Sequence, residues 1–478
     1  MTDARAPTEP SRDARGLFEL QRDAYGVERY PSLAQRQDRL ARLAEMVEMH
    51  EQDIVKAIAT DFGTRPAQET RLAELFVITA GIRDTRRHLA EWMRKQRVPT
   101  PLYLWPGRSR VLRQPLGVVG VISPWNYPVQ LALLPALAAL AAGNRVMLKP
   151  SELTPRTSAL LQRIVAQHFA EAEFAVITGG PEVGETFSHL PFDHLFFTGS
   201  TTVGRRIALA AAANLTPVTL ELGGKSPALF HADADFGMAV ARLVTGKLLN
   251  AGQTCIAPDY ALAPASRVEE LAAAIRDNAM SQYPSFRDNP DYTSVVNDAH
   301  YLRLTALIAD AVQKGAHAIA LDAGATAASS PHRKLAPTVL VGVNDSMAVM
   351  NEEIFGPVLP IEAYDTLEQA IDKINARPRP LAMYMFGGDA GVRKSVLHRT
   401  TAGGVTVDDT LWHFTNENLP FGGIGASGTG AYHGERGFLT FTHQKAIFIQ
   451  PRLSFTWLLR PPYGKRFERV LALLKKIS

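Results

Sequence analysis

The chain of 478 residues contains a single cysteine, Cys255, within the segment NAGQTCIAPD (residues 250–259). A free cysteine is usually a small buried apolar residue. Here the polar, turn-like GQT precedes the thiol, and the helical pattern MAVARLVTGKLL ends just before it. Reactive thiols are held in this way, at the end of an element and beside polar groups. The pattern therefore predicts that Cys255 is a nucleophile.

A carboxylate upstream of the cysteine interrupts an apolar run. Glu221 lies in VTLELGGKSP, at the end of a predicted strand and just before two glycines. A capped or solvated strand end is one explanation. The other is a general base, because active sites form at the carboxyl ends of buried parallel strands and partial burial raises the pKa of a carboxyl group.

A third polar side chain follows another predicted strand, in GVISPWNYPV (residues 120–129). Prolines on either side of Asn126 fix the backbone and so aim its side-chain amide, which can donate a hydrogen bond to a developing oxyanion. Alternatively, the prolines only shape a turn and the aromatic residues fill a core.

The elements that must position these residues alternate between strands and helices. From Gly117 the apolar segments GVVGVIS, RVMLK, EFAVIT, HLFFTG and PVTLEL are typical of parallel strands. Between them, Thr154 and Pro155 mark a helix start, with a capping residue followed by proline. A second α/β stretch is predicted from Lys225 to His413. This alternation predicts doubly wound α/β sheets, whose ligands bind beyond the carboxyl ends of the strands.

The flanking segments differ in pattern. Residues from Gly16 to Arg94 are predicted to be helical, and Pro106-Gly107 separates two short extended runs that predict a hairpin. KAIFIQ (residues 445–450) is predicted to be a strand, and PYGKRFERVLALLKKIS a basic amphipathic tail. The predicted apolar stripe of the first helices comprises Leu33, Leu40, Leu43, Met46, Val47 and Ile54.

Composition excludes several classes of protein. With 51 basic and 47 acidic residues scattered along the chain, nucleic acid is not expected as a partner. A lone cysteine cannot form an intrachain disulfide, so the cytoplasm is the expected compartment. No membrane span and no paired-cysteine or HExxH metal motif is predicted. GIGASG (residues 423–428) and GGKS (residues 223–226) lack the contexts of nucleotide-binding loops.

Taken together, these segments resemble the aldehyde dehydrogenase superfamily over residues 20 to 450. ELGGKSP and NAGQTCIAPD are similar to its glutamate and cysteine signatures, PWNYP to its asparagine segment, and KPSELTP to its ribose-binding segment. FTGSTTVG is similar to its pyrophosphate loop, and EEIFGPV to its second cofactor contact. GQTCIAPDY, SGTGAYHGERGF and RPPYGK are most similar to a class 3-like branch of dimeric enzymes that includes coniferyl aldehyde dehydrogenases.

The resemblance implies a mechanism. Cys255 attacks the aldehyde carbon, and the oxyanion of the thiohemiacetal faces the Asn126 amide and the Cys255 backbone N–H. Hydride leaves for the nicotinamide, and Glu221 activates the water that hydrolyses the thioester. An ordinary thiol is only slightly ionised at neutral pH, so a helix amino terminus, the cofactor ring or Glu221 is expected to promote its ionisation.

The resemblance also implies the cofactor site. A glutamate at position 152 bonds a ribose 2′-hydroxyl and repels a 2′-phosphate, so NAD is expected, with NADP as the alternative. The residues implied in cofactor binding are Ser123, Trp125, Lys149, Glu152, Gly199, Ser200, Thr201, Gly204, Leu222, Gly223, Glu353 and Phe355.

The implied substrate is a small-molecule aldehyde, either aromatic such as coniferyl aldehyde or a medium- to long-chain aliphatic one. Tyr127, Leu248, Trp412 and His413 are expected at its pocket. Leu248 replaces a phenylalanine common in relatives, which weakens the inference of substrate. His413 is expected to be structural. The tail is expected to pack on the chain's own body or on a partner subunit in a homodimer, in preference to a membrane surface.

The implied organisation is a disordered lead-in (residues 1–15), an NAD(P)-binding domain (16–95 and 113–224) and a catalytic domain (225–413). The hairpin, the last strand and the tail (96–112 and 414–478) would serve oligomerisation. Two rival functions are a cofactor-free thiol hydrolase, which leaves Lys149 and Glu152 without a role, and a non-catalytic scaffold, which leaves the complete set of reactive side chains unexplained.

Overall fold

The computed structural model describes residues 13–321 and 332–477. Its α-helices are α1 Ala14–Val27, α2 Leu33–Met49, α3 Glu51–Phe62, α4 Ala67–Thr70, α5 Val77–Trp92, α6 Gln130–Ala142, α7 Pro155–His168, α8 Pro181–Ser188, α9 Thr201–Ala212, α10 Phe236–Leu248, α11 Val268–Gln282, α12 Asp298–Gln313, α13 Ala348–Asn351, α14 Leu367–Ala376, α15 Ala390–Arg399, α16 Trp412–Thr415, α17 Gly434–Thr440 and α18 Lys465–Ile477. A π-helical segment, Arg71–Phe76, joins α4 to α5.

The strands form three sheets. They are β1 Gln96–Val98, β2 Arg108–Pro115, β3 Val118–Ile122, β4 Arg145–Lys149, β5 Phe174–Val176, β6 His194–Thr198, β7 Val218–Glu221, β8 Pro227–Phe230, β9 Tyr260–Pro264, β10 His317–Ala320, β11 Thr338–Val341, β12 Val358–Tyr364, β13 Ala382–Phe386, β14 Gly404–Val407, β15 Gly428–Thr429 and β16 Thr442–Ile449.

The first sheet has the order β15-β7-β6-β3-β4-β5. All five strands predicted from Gly117 onward are present and pair in parallel, whereas the short β15 pairs antiparallel with β7. β3 and β4 are buried along their whole length, as expected for strands covered by helices on both faces. The doubly wound α/β prediction is confirmed.

The second sheet has the order β10-β11-β12-β9-β8-β13-β14, and only β10 is antiparallel to its neighbour. It lies within the stretch predicted as the second α/β unit. Helix α10 leads into the segment that carries Cys255, and β9 follows that segment. The cysteine therefore lies between two buried elements of this unit.

The third sheet, β1-β2-β16, is antiparallel and contains the predicted hairpin and the predicted KAIFIQ strand. β2 continues to Pro115, three residues past the predicted end of the hairpin, because its pairing with β16 continues to Thr442↔Pro115. α18 forms the predicted helical tail and contacts the 3₁₀ turns Leu102–Leu104 and Phe455–Leu459.

The helices differ from the prediction in three details. α1 begins at Ala14, inside the predicted lead-in, because Asp13 caps it through Gly16 N–H; residues 1–12 lie outside the described part. Leu33 is exposed, whereas the other five stripe residues are buried. Thr154 makes no side-chain cap at α7, since the carboxylate of Asp61 accepts the N–H groups instead.

Candidate active site

The loop that carries Cys255 is held by hydrogen bonds on several sides. Asn250 and Ala251 adopt left-handed conformations with φ of 53° and 52°, which reverse the chain after α10. The side chain of Gln253 spans the loop: its Nε2 donates to Asn250 O and Ser294 O, each at 3.0 Å, and its Oε1 accepts from Val296 N–H at 2.9 Å. Cys255 itself is partly exposed in the turn that follows. No helix begins there.

The Asn126 amide reaches this loop directly. Its Nδ2 donates to Gln253 O at 3.1 Å, two residues before the thiol. Its backbone carbonyl accepts from Arg65 Nη1 and Asn250 Nδ2, both at 3.0 Å. An amide carries two N–H groups, and Gln253 O accepts from one of them. The side chain is 2% exposed.

Glu221 is the last residue of β7 and is 2% exposed. Neither carboxylate oxygen has a hydrogen-bond partner among the described residues. Burial raises its pKa well above the ordinary value. Its negative charge is in turn one of the causes that raise the pKa of Cys255, so the two side chains share one environment.

The thiol of Cys255 has a raised pKa. Burial, followed by the charges of Glu353 and Glu221, raises the pKa of Cys255 to about 12, although the N–H groups of Cys255 and Ile256 oppose the rise. The hydroxyl groups of Tyr127 and Thr254 share a hydrogen bond of 2.7 Å, in which either can be the donor. Cys255 therefore lies in a site that disfavours the thiolate until its surroundings change.

Two predicted cofactor residues form an ion pair where β4 ends. Lys149 Nζ lies 2.7 Å from Glu152 Oε2, and Lys149 is buried whereas Glu152 is exposed. Burial raises the pKa of Glu152, but the hydrogen bond from Lys149, the backbone N–H of Glu152 and the charge of Lys149 together outweigh it, and the net shift is downward. Ser123 N–H donates to Lys149 O at 3.1 Å, and the Ser123 hydroxyl is buried without a partner among the described residues.

The predicted pyrophosphate loop joins β6 to α9. Ser200 caps α9 by accepting from Val203 N–H, so the helix amino terminus opens where β6 ends. A Cβ on Gly199 would meet the Phe197 ring, and one on Gly204 would lie 2.7 Å from Leu222. These glycines permit close packing of the helix on the sheet, which is one of the uses of glycine in nucleotide-binding loops. Thr201 Oγ1 donates to Ala426 O.

Glu353 lies against the glycines that follow Glu221 at the end of β7. The Glu353 carboxylate occupies the space that a side chain at Gly223 would need, and Gly224 N–H hydrogen-bonds it. Burial and the charge of Asp259 raise the pKa of Glu353 to about 8.

Aromatic and ionic contacts fix the segment around Glu353. The rings of Phe355 and Trp125 make an edge contact with centroids 5.3 Å apart. The buried Lys225 pairs with Asp259, which also accepts from Ile354 N–H at 2.9 Å. Lys225, the lysine of GGKS, thus lies in a buried ion pair.

The four predicted pocket residues are not all placed together. Tyr127 contacts the cysteine loop, as described above. Trp412 is exposed and His413 is partly buried, with Nδ1 hydrogen-bonded to Thr406 Oγ1 at 2.8 Å. Burial lowers the pKa of His413 to about 4, so the imidazole is neutral. Leu248 belongs to the core and lines an apolar cavity with residues of α10, α11 and β11; its place in a substrate pocket stays a prediction.

The sequence analysis missed several buried polar residues near the site. Tyr432 is 1% exposed, and its hydroxyl has no partner among the described residues; burial, then Glu221 and Cys255, raise its pKa. Arg65 and Glu74 form a fully buried ion pair behind Asn126. One signal existed for Glu74: it falls on the apolar stripe between Thr70 and Ile78, where a charge needs a partner.

Within residues 13–321 and 332–477, no cluster of His, Cys, Asp and Glu side chains is arranged to hold a metal ion. In the same residues, no helix is both long and apolar enough to cross a membrane.

Comparisons with known proteins identify the family of the chain. The model of the aldehyde dehydrogenase family matches residues 4–447. A probable coniferyl aldehyde dehydrogenase of Caulobacter vibrioides is 46% identical over 98% of this chain and 99% of its own. The substrate-bound structure of Staphylococcus aureus AldH has a TM-score of 0.92 at 38% identity, covering 97% of this chain and 100% of that one. A Mycobacterium tuberculosis aldehyde dehydrogenase complexed with NAD+ has a TM-score of 0.82 at 29% identity, covering 93% and 91%. The chain therefore belongs to the aldehyde dehydrogenase family and is an NAD(P)-dependent oxidoreductase that converts aldehydes to carboxylic acids.

Proposed function

We propose that Cys255, Asn126 and Glu221 carry out this oxidation and that the substrate is an aromatic aldehyde of the coniferyl aldehyde type. The main support for the site is the hydrogen bond from Asn126 Nδ2 to Gln253 O, which joins the amide to the loop that carries the thiol. The support for the substrate is the 46% identity to a relative named for coniferyl aldehyde. Medium- and long-chain aliphatic aldehydes are the second candidates.

The first half of the reaction is thiol addition. The Cys255 thiolate forms a carbon–sulfur bond to the aldehyde carbon, and the carbonyl oxygen becomes the oxyanion of a thiohemiacetal. The free N–H of the Asn126 amide and the Cys255 backbone N–H are the donors for that oxyanion. Removing one such donor typically slows catalysis by about 10²- to 10³-fold. When bound, the nicotinamide supplies the hydride acceptor that oxidises this adduct.

The second half is hydrolysis of the thioester. Glu221 takes a proton from water, the hydroxide adds to the acyl carbon, and the carbon–sulfur bond breaks to return the Cys255 thiolate and the acid. A general base works best when its pKa lies near the working pH. The upward shift that burial imposes on Glu221 moves its pKa in that direction, and its two unpartnered oxygens are free to accept a proton.

The residues around this centre fit a nicotinamide dinucleotide. Lys149 and Glu152 would hold the adenosine ribose, the amino terminus of α9 would receive the pyrophosphate, and Glu353 would hold the second ribose. The α9 terminus offers backbone N–H groups to an anion, and Glu353 Oε1 is buried without a partner among the described residues. Since Glu152 is ionised and would repel a 2′-phosphate, NAD is preferred to NADP. Ser123, Trp125, Leu222 and Phe355 would contact the cofactor.

We further propose that the enzyme is a cytoplasmic homodimer. β16 is an edge strand of the third sheet, and Phe448 and Ile449 on it are 45% and 44% exposed. A long edge with exposed apolar residues is a template for pairing with another chain. The tail that follows β16 exposes Leu453, Phe455 and Trp457 as well, which extends the same apolar surface.

A substrate panel tests the proposed function. NADH formation with hydroxycinnamaldehydes, benzaldehydes, long-chain and short aliphatic aldehydes gives kcat/KM for each. The highest value is expected for a hydroxycinnamaldehyde with NAD, and a higher value for an aliphatic aldehyde removes the aromatic assignment. An equal or higher kcat/KM with NADP would remove the role given to Glu152. A cofactor-free thiol hydrolase would form no NADH at all.

A further inference from the structure

The Asn126 segment rests on a charged side chain that comes from a distant part of the sequence. Arg65 lies between α3 and α4, and its side chain is fully buried. Its Nη1 donates to the backbone carbonyl of Asn126 at 3.0 Å. The guanidinium also lies over the Phe62 and Tyr127 rings, 5.1 and 4.9 Å from their centroids. Arg65 thus contacts both Asn126 and the residue after it.

The counter-ion of Arg65 fixes the other end of the same segment. Glu74 Oε1 lies 3.0 Å from Arg65 Nη1, and Glu74 Oε2 accepts from Val129 N–H at 2.8 Å and from Gln130 N–H at 3.1 Å. Glu74 therefore caps α6, which begins four residues after Asn126. It lies in the π-helical segment Arg71–Phe76, and π-helical turns often occur at functional sites.

A second carboxylate ties the cysteine loop to the same region. Glu69 accepts from Asn250 N–H at 3.3 Å and from Thr293 Oγ1 at 2.6 Å. Asn250 Nδ2 also donates to Asn126 O, beside the bond from Arg65. The charges of residues 65, 69 and 74 consequently hold the two loops that carry the amide and the thiol.

A buried ion pair is an expensive way to gain stability, because desolvation of the charges offsets their attraction. Apolar residues of similar volume often stabilise a fold equally well. What the pair does provide is directional hydrogen bonding to the Asn126 carbonyl and to the N–H groups of Val129 and Gln130, which follow it.

We propose that Arg65, paired with Glu74, is a positioning residue that aims the Asn126 amide at the oxyanion. The inference rests on the proposed function, since it assigns no chemistry to Arg65 itself. It predicts that Arg65 contributes to catalysis only while the Asn126 amide is present.

A double-mutant cycle measures this dependence. Asn126→Ala removes the amide and leaves the backbone carbonyl that Arg65 holds, whereas Arg65→Met removes the guanidinium. Asn126→Ala is expected to lower kcat about 10²- to 10³-fold. Arg65→Met in the wild-type background is expected to lower kcat about 10- to 100-fold, the loss typical of a misplaced catalytic group. In the Asn126→Ala background the same substitution should change kcat by less than about twofold.

Three further measurements separate positioning from general damage. The KM for NAD and the rate of Cys255 alkylation by iodoacetamide should stay at their wild-type values in Arg65→Met. Arg39→Met is the matched control, because Arg39 is also buried and paired, to Glu28 and Glu173, away from both loops. It should leave kcat unchanged. If Arg65→Met does not fold, Arg65→Lys, which keeps the charge but not the guanidinium geometry, replaces it in the cycle.

The outcomes distinguish failure of the positioning role of Arg65 from failure of the proposed function. A large effect of Asn126→Ala, with an equal fold loss from the Arg65 substitution in both backgrounds, overturns the positioning role and leaves the proposed function intact. Wild-type kcat in Asn126→Ala overturns the proposed oxyanion donor and the positioning role together. Loss of the Arg65 effect in the Asn126→Ala background supports both.

Discussion

At the scale of single residues, burial first and then the charge of Glu353 raise the pKa of the Cys255 thiol. Glu353 has a pKa of about 8, raised by burial and by Asp259, and its negative charge raises the pKa of Cys255. As the pH rises through about 8, the Glu353 carboxylate forms, and its charge then disfavours the reactive thiolate.

Glu353→Gln should therefore speed alkylation of Cys255 by iodoacetamide in the cofactor-free enzyme at about pH 9, by up to about tenfold, and change it little at about pH 7. Glu352→Gln is the control, because this neighbouring acid is exposed. Slower alkylation of the Glu353 variant at the higher pH would show that the carboxylate promotes ionisation of the thiol.

The three residues proposed to react could be selected from the sequence because each lies at a recognisable position. Glu221 ends an apolar strand, Asn126 lies between two prolines, and Cys255 follows a helix among polar residues. Arg65 and Glu74 could not be selected in this way, because their proposed positioning role depends on partners some sixty positions away in the sequence. A local pattern shows that such a charge is buried but not what it contacts.

At the scale of elements, the start of α7 shows why local signals mislead. Thr154-Pro155 correctly predicts where the helix begins, but the cap comes from Asp61, which accepts from Arg156 N–H and from Thr157 N–H and Oγ1 at 2.7 to 3.0 Å. The Thr154 hydroxyl is buried without a partner among the described residues. A cap supplied by another helix leaves no trace in the adjacent sequence.

Asp61→Ala should lower the free energy of unfolding by about 0.5–2 kcal/mol, the usual cost of losing a helix cap. Thr154→Val, which replaces an unpartnered hydroxyl by a methyl group of similar shape, should be neutral or slightly stabilising. Urea unfolding of both variants provides the comparison. A larger loss for Thr154→Val than for Asp61→Ala would restore Thr154 as the cap.

At the scale of the whole molecule, the fold class followed from the alternation of strands and helices, whereas the order of strands within each sheet did not. Nothing in the segment KAIFIQ shows that it pairs with a strand more than three hundred residues earlier. β16 is largely exposed, so the segment has no burial pattern that would indicate its partner strand.

The exposed edge of β16 leads to a prediction about dimer formation. Ile449→Asp places a charge on the edge strand proposed to pair with a second chain, and should shift the enzyme toward the monomer in light scattering coupled to size-exclusion chromatography. Leu302→Asp, at an exposed position on α12, should leave the mass unchanged. If the Ile449 variant keeps the wild-type dimer mass, the proposed interface is wrong.

The convergence of Cys255, Asn126 and Glu221 on one reaction is tested most directly by Glu221→Gln. Mixed with NAD and an aromatic aldehyde, this variant should release one equivalent of NADH per site in a stopped-flow burst and then stall. Intact-mass measurement should show the acyl group on Cys255, since thiol addition survives and hydrolysis of the thioester does not. Continued turnover at the wild-type rate, with no acyl adduct on Cys255, would contradict the account.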